Sequence, residues 1–224
     1  MPLIVLEGID GAGKSTQFEL LTQRLSREGC DFQKIVFPQY SEPSSALIRM
    51  YLGGEFGGGP DAVNAYAASA FFAVDRVASY IKVWGEYYRS GGLLVADRYT
   101  TSNAIHQGAK LPDSEKSGFF RWLFDFEYNL LGLPKPELVL YLDMPAELSV
   151  KLLRTRGGER DIHELDEEYL ISCRKTALRA AREDGWKVIS CAPGGILRSV
   201  DEIHEEIFGE VAAAARAGRD KSRF

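Results

Sequence analysis

The run Leu3-Ile4-Val5-Leu6-Glu7-Gly8-Ile9-Asp10-Gly11-Ala12-Gly13-Lys14-Ser15-Thr16 decides how this chain is read. Pro2 to Leu6 reads as a short buried strand, and Ser15 to Glu28 as an amphipathic helix. Between them, Gly8 to Ser15 fits the pattern G-x-x-x-x-G-K-[ST]. A strand that feeds a glycine-rich turn into a helix N-terminus points several backbone N–H groups at one spot, a cradle for phosphate. In such a loop Lys14 reaches the outer phosphates and the Ser15 hydroxyl meets Mg²⁺. Without the strand and helix around it, the same pattern is a glycine turn beside a solvated lysine.

Working outward, short apolar runs alternate with helical stretches. The strands expected are Lys34–Phe37, Leu93–Ala96, Leu138–Leu142 and Trp186–Ser190, and the helices fall at Asp113–Leu130, Ala146–Arg154, Asp166–Ala181 and Val200–Ala214. A long helical region from about Pro60 to Tyr88 carries the stripe Val63, Ala67, Ala70, Val74, Val77 and Ile81, expected to face the core. The expected fold is α/β: a doubly wound five-stranded parallel sheet with helices on both faces. A single domain is expected over 1–216, with a short lid at about 154–162 and a frayed tail from Ala217 to Phe224. Ligands in such sheets sit at the carboxyl ends of the strands.

The bulk properties suit this reading. At 224 residues the chain has length for one sizeable α/β domain, and 26% charged residues suit a soluble surface. A net charge of −5 argues against broad nucleic-acid or membrane binding. Met1-Pro2-Leu3-Ile4 has no basic region before the first strand, unlike a signal peptide, and no apolar run approaches the roughly 18 residues of a membrane span. Cys30, Cys173 and Cys191 are odd in number, lack metal-ligand spacing, and read as reduced thiols of a cytoplasmic protein.

Four further clusters bear on chemistry. Asp97-Arg98-Tyr99 ends the third strand, where an acid can hold Mg²⁺ or its waters opposite Ser15 and an arginine can bridge two phosphates. Phe72 and Arg76 are i and i+4 on a helix, opposite Val74, and are expected to project together away from the core. Arg154-Thr155-Arg156-Gly157-Gly158-Glu159-Arg160-Asp161 reads as a lid whose arginines close over a transferring phosphoryl group. Phe37-Pro38-Gln39-Tyr40 follows the second strand and sets an aromatic, a rigid ring and a phenol beside an acceptor pocket. Taken singly, each has a plainer reading: an ion pair, a surface aromatic, a solvated turn, a loop.

Together, these residues resemble the thymidylate (dTMP) kinase family of P-loop nucleoside monophosphate kinases. The resemblance rests on Glu7 to Thr16, Phe37-Pro38, Phe72-x-x-x-Arg76, Asp97-Arg98-Tyr99 with Ser102-Asn103, and the lid arginines, in family order across nearly the whole chain. It implies phosphoryl transfer from MgATP to dTMP, giving ADP and dTDP. ATP would be bound by Gly8, Asp10, Gly11, Ala12, Gly13, Lys14, Ser15, Thr16 and Arg154, and Mg²⁺ by Ser15 and Asp97. Asp10 resembles the carboxylate that meets the acceptor's 3′-hydroxyl, Phe72 the residue stacking on thymine, and Arg76 the residue near base and acceptor phosphate. Arg98 resembles the clamp on both nucleotides' phosphates. Phe37, Pro38, Tyr40, Ser102, Asn103, His106 and Gln107 would complete the acceptor pocket. Ala12 stands where some members carry an arginine, so the resemblance passes that charge to Arg156 or Arg160. His106 stands where relatives often have tyrosine, and Gln39 where they often have arginine. Nucleotides are the partners implied, with no nucleic acid or membrane, and relatives are usually homodimers.

The acceptor separates this reading from a deoxynucleoside kinase. A sugar hydroxyl wants a carboxylate base nearby, whereas a monophosphate, with a second pKa of about 6, is largely dianionic and wants cations. Arg76 and Arg98 supply cations, and no acid follows the second strand until Glu42, whose place the sequence leaves open. A guanine-reading N-K-x-D element, expected of a GTP-binding switch, is lacking. A non-catalytic nucleotide-binding module would have no need of a lid and a second pocket.

Overall fold

Unbroken apolar runs make strands buried on both faces, which is where a parallel sheet puts them. A computed structural model of the chain describes residues 2–156 and 167–221, with 60, 154–156, 167 and 217–221 by backbone alone. The strands are β1 Leu3–Gly8, β2 Phe32–Val36, β3 Leu93–Asp97, β4 Leu138–Asp143 and β5 Lys187–Ser190. They pair in the order β2-β3-β1-β4-β5, every pair parallel, with Leu6 beside Asp97 on one side and Glu7 beside Tyr141 on the other. All residues of the central strand β1 are buried.

The helices are α1 Lys14–Arg27, α2 Ala46–Leu52, α3 Ala65–Ser79, α4 Gly85–Arg89, α5 Thr100–His106, α6 Asp113–Phe124, α7 Ala146–Arg156, α8 Glu167–Asp184 and α9 Val200–Lys221. From β1 the chain crosses to the β2 edge, and the later crossovers run back the other way. Right-handed crossovers then place α1 on one face and the helices after β2, β3 and β4 on the opposite face. Contacts agree with this. Gln17 Nε2 of α1 donates to Val200 O of α9 at 2.9 Å, and Arg24 lies 3.7 Å over the Phe208 ring. On the other face, Tyr169 of α8 donates to the His106 carbonyl of α5 at 2.5 Å. The direction of winding reverses at β1, and the crevice at its carboxyl end is the place for a ligand.

Three expectations are corrected. The region from Pro60 to Tyr88 is not one helix: a 3₁₀ turn Pro60–Ala62 precedes α3, and a π-helical stretch Tyr80–Trp84 joins α3 to α4. More consequentially, the apolar stripe faces the core only in part, with Val77 packed against it. Val74 is 56% exposed and Ile81 75%, while the buried side of α3 holds Ala65, Ala68, Ser69, Ala73, Asp75, Arg76 and Ser79. Period alone marks which residues share a face, and cannot say which face turns inward when the inner one carries a polar site. At the end of the chain, α9 continues past Ala214 to Lys221, through residues where the composition suggested fraying. Among the described residues, no helix is long and apolar enough to cross a membrane.

Candidate active site

Gly13 caps α1 at φ 85°, and Gly11 turns at φ 79° where a Cβ would come within 2.5 Å of the Ser149 carbonyl of α7. Only glycine meets both demands. The loop thus lies against α7 and leaves the first N–H groups of α1 without intrahelical acceptors. A cleft of ≈ 1410 Å³ opens over it, lined by Asp10, Gly11, Gly13, Lys14, Ser15, Thr16, Asp97 and Arg98, with Phe37, Pro38 and Tyr40 at one side. Gly8 and Ala12 sit behind it, buried, and a Cβ on Gly8 would stand 3.2 Å from that of Ala12. Lys14 is held to the Ile9 carbonyl at 3.2 Å and to Asp10 at 3.9 Å. Burial, aided by the nearby Arg98 charge, lowers its ammonium to about 8 against the pull of Asp10, Asp97 and Glu7.

A second cleft, ≈ 510 Å³, adjoins the first, and every residue the sequence assigned to an acceptor lines it: Asp10, Phe37, Pro38, Tyr40, Phe72, Arg76, Arg98, Ser102, Asn103, His106 and Gln107. Leu52 and Tyr99 complete the wall. Asp10, Phe37, Pro38, Tyr40 and Arg98 belong to both clefts. Arg98 has φ 68°, alone among the described non-glycine residues in the left-handed region. Its Nη2 donates to Asp10 Oδ1, and its Nη1 lies 3.1 Å from His106 Nε2. A guanidinium only donates, so that imidazole nitrogen accepts. Although burial opposes the charge, Asp10, Glu7 and Asp97 hold the guanidinium more firmly protonated than usual.

Phe72 and Arg76 do share a face opposite Val74, but they point into the protein. Arg76 is 1% exposed and forms a two-pronged ion pair with Glu127, Nε to Oε2 and Nη2 to Oε1, both at 2.6 Å. With Nε and Nη2 engaged by one carboxylate, Arg76 has no second fork to offer a phosphate. Gln107 is fully buried with neither amide atom partnered among the described residues. Glu42 does not line the cleft; it meets Lys82 at 3.1 Å. Asp75 accepts from Gln39 N at 2.8 Å and Ser44 Oγ at 2.6 Å, which ties the Phe37–Tyr40 loop to α3. Arg154 and Arg156 end α7, with side chains outside the described residues, as is the whole of Arg160.

Two structural carboxylates carried no assigned role in the sequence reading. Glu7, fully buried at the end of β1, accepts from Tyr99 N at 3.2 Å, Thr101 Oγ1 at 2.7 Å and Ser102 Oγ at 2.9 Å. Burial raises its pKa, against Arg98 and the hydroxyls of Thr101 and Ser102. Glu127 sits in a π-helical stretch, Asp125–Leu130. Each had a signal: an acid inside an apolar strand, and an acid on the buried side of a helix that also carries Phe119, Phe120 and Leu123.

A phosphate loop at the end of the first strand of a parallel sheet of order β2-β3-β1-β4-β5 defines the P-loop kinase class. The sequence profile of the thymidylate kinase family matches residues 6–207. The chain is 34% identical over 172 residues to thymidylate kinase of Mycobacterium tuberculosis strain H37Rv, covering 74% of this chain and 79% of that one. It is 30% identical to thymidylate kinase of Dictyostelium discoideum, over 91% of this chain and 82% of that one. The solved thymidylate kinase of Candida albicans superposes with a TM-score of 0.71 at 21% identity, covering 95% of this chain and 91% of that one, a likeness of fold. The chain belongs to the thymidylate kinase family and is an ATP-dependent kinase.

Proposed function

We propose that the two clefts are the donor and acceptor halves of a single phosphoryl transfer, joined at Arg98 and Asp10. The reaction is the ATP-dependent phosphorylation of dTMP to dTDP, the activity of the family. One observation carries the assignment of halves: the cleft over the phosphate loop and the cleft under Phe72 share Arg98, Asp10 and the Phe37–Tyr40 wall. In the donor half, Lys14 and the free N–H groups at the start of α1 receive the ATP phosphates, with Gly11, Gly13, Ser15 and Thr16 around them. Magnesium suits this half, because Asp97 Oδ1 is buried without a partner among the described residues and lines the same cleft as Ser15. Bound with ATP, the ion neutralises phosphate charge.

In the acceptor half, Phe72 offers its ring to the base, while Arg76 and Asn103 meet its edge. The Asn103 NH₂ faces two acceptors, Ser69 O at 3.3 Å and Glu127 Oε1 at 3.4 Å, so its carbonyl oxygen is the end left for a ligand. The unpartnered Gln107 amide, with Ser102 and His106, closes the pocket. A dianionic monophosphate attacks without a base, and Arg98 spans both phosphates as charge develops between them. Glu42, tied to Lys82 outside the cleft, is not placed to deprotonate a sugar hydroxyl, which disfavours a nucleoside as acceptor. Arg156 or Arg160 of the lid, at about 154–162, supplies the charge that Ala12 does not, and Arg154 joins the ATP contacts.

The working enzyme is a cytoplasmic homodimer of single-domain protomers. The outward apolar stripe with Val74 and Ile81 supports the dimer, and free Cys30, Cys173 and Cys191 accord with a reducing compartment. ADP release with ATP against dTMP, dUMP, UMP, CMP and thymidine tests the assignment. The highest kcat/KM should fall on dTMP. A preference for thymidine would overturn the monophosphate acceptor, and a preference for UMP the deoxynucleotide.

A further inference from the structure

Glu127 bonds two residues that line the acceptor cleft, Arg76 and Asn103, yet lies behind the wall. It is 0% exposed. Its Oε2 accepts from Arg76 Nε at 2.6 Å and Thr100 Oγ1 at 2.7 Å, and its Oε1 from Arg76 Nη2 at 2.6 Å and Asn103 Nδ2 at 3.4 Å. Its donors come from α3 and from the first turn of α5, so the carboxylate ties two elements together. Arg76 and Asn103 line that cleft, and Glu127 does not. With Nε and Nη2 engaged the guanidinium cannot rotate, which leaves Nη1, 3.4 Å from the Tyr99 carbonyl, as its edge toward the cavity. The same carboxylate draws the NH₂ of Asn103 inward and so turns the amide oxygen outward. One buried anion thereby sets the direction of a donor and of an acceptor. The carboxylate is carried on a π-helical stretch, Asp125–Leu130, a rare conformation often found at functional sites.

We propose that Glu127 is the positioning residue for the acceptor's base, holding Arg76 and Asn103 in the one arrangement that reads its edge; this rests on the acceptor reading above. A purely structural ion pair would make the same bonds, so the test must separate acceptor affinity from stability and turnover. In Glu127→Gln an amide NH₂ meets the donors Arg76 and Thr100, and in Glu127→Asp the charge remains but falls short of them. Both variants should raise the KM for dTMP by about tenfold to a hundredfold, the worth of a charged hydrogen bond. Neither should move the KM for ATP, and kcat should stay within about threefold. An unchanged dTMP KM in either folded variant, or an equal rise for ATP, overturns the proposal. Should both fail to fold, the apolar pair R76M/E127M replaces them, since exchanging both partners of a buried ion pair is tolerated where removing one is not. A wild-type dTMP KM there also overturns it. Wild-type protein without dTMP-saturable turnover would instead refute the acceptor reading, a different result from wild-type turnover with an unmoved KM in the variants.

Discussion

Arg98 reaches into both clefts from a backbone position that costs an L-residue about 1–2 kcal/mol. Its partners, Asp10 and His106, hold the guanidinium at the seam where phosphates would meet. Arg98→Ala removes that charge and keeps the turn, so kcat should fall by about 10³-fold or more, the scale of an arginine acting on a transferring phosphoryl group. The melting temperature should change little, and turnover near the wild-type rate would take Arg98 out of the mechanism. Lys14 yields a prediction in pH. Burial holds its ammonium at about 8 in the free protein, and the phosphates of bound ATP must raise it. Below about 8 the lysine is charged in both states, and ATP affinity is flat in pH. Above it the free protein loses the proton that the complex keeps, so the KM for ATP climbs and binding takes up a proton. Calorimetric titration at pH 9 in two buffers of different ionisation enthalpy checks this: identical heats would mean that Lys14 does not titrate there.

At the scale of elements, α5 is the part on which the site depends. Its N-cap, Tyr99, makes no side-chain cap of its own. Two buried carboxylates take that work from either side: Glu7 binds Tyr99 N–H, Thr101 and Ser102, and Glu127 binds Thr100 and Asn103. Anions at a helix N-terminus are favoured by its dipole, and Glu7 also pins the residue that follows Arg98 in its left-handed turn. Glu7→Gln should cost about 1–3 kcal/mol of unfolding free energy, because an amide NH₂ then faces donors in a buried space. It should lower kcat as well, as Arg98 loses its fixed base. Urea denaturation read beside kcat decides the point, and a destabilised variant with full kcat would leave Glu7 with the fold alone. The partners of these two carboxylates were not visible in the sequence. Glu7 and Thr101 lie far apart along the chain, as do Arg76 and Glu127, and local patterns carry no information on such pairings. The phosphate loop and the Asp97-Arg98-Tyr99 turn were legible because each acts through neighbours in sequence.

On the scale of the molecule, β1, β3 and β4 were legible because a strand buried on both faces is an unbroken apolar run and needs no phase. The edge strands β2 and β5, only partly buried, were legible through the short β-branched pairs Ile35-Val36 and Val188-Ile189. Helices need a phase, and α3 shows what happens without one. The side turned inward holds Ser69, Asp75, Arg76 and Ser79, of which Arg76 lines the cleft and Asp75 ties the Phe37–Tyr40 loop to α3. Of the apolar stripe, Val77 packs against the core, while Val74 at 56% and Ile81 at 75% exposed face outward. A second copy of the chain is the occupant proposed for it, and the dimer can be tested without touching the site. At micromolar concentration wild-type protein should sediment as twice the 24.9 kDa protomer. Val74→Glu with Ile81→Glu should shift it to the protomer, since two carboxylates cannot be buried unpaired in an apolar contact. Both side chains already face outward in the protomer, so each exchange should change its unfolding free energy by only about 0.5 kcal/mol or less. Sedimentation velocity at several concentrations reads the result. A wild-type protomer that stays single, or a double variant that still pairs, would place the interface elsewhere or nowhere. If the variant separates and keeps the protomer's melting transition, the phase of α3 has two causes: a polar face that serves the cleft and an apolar face that serves the partner.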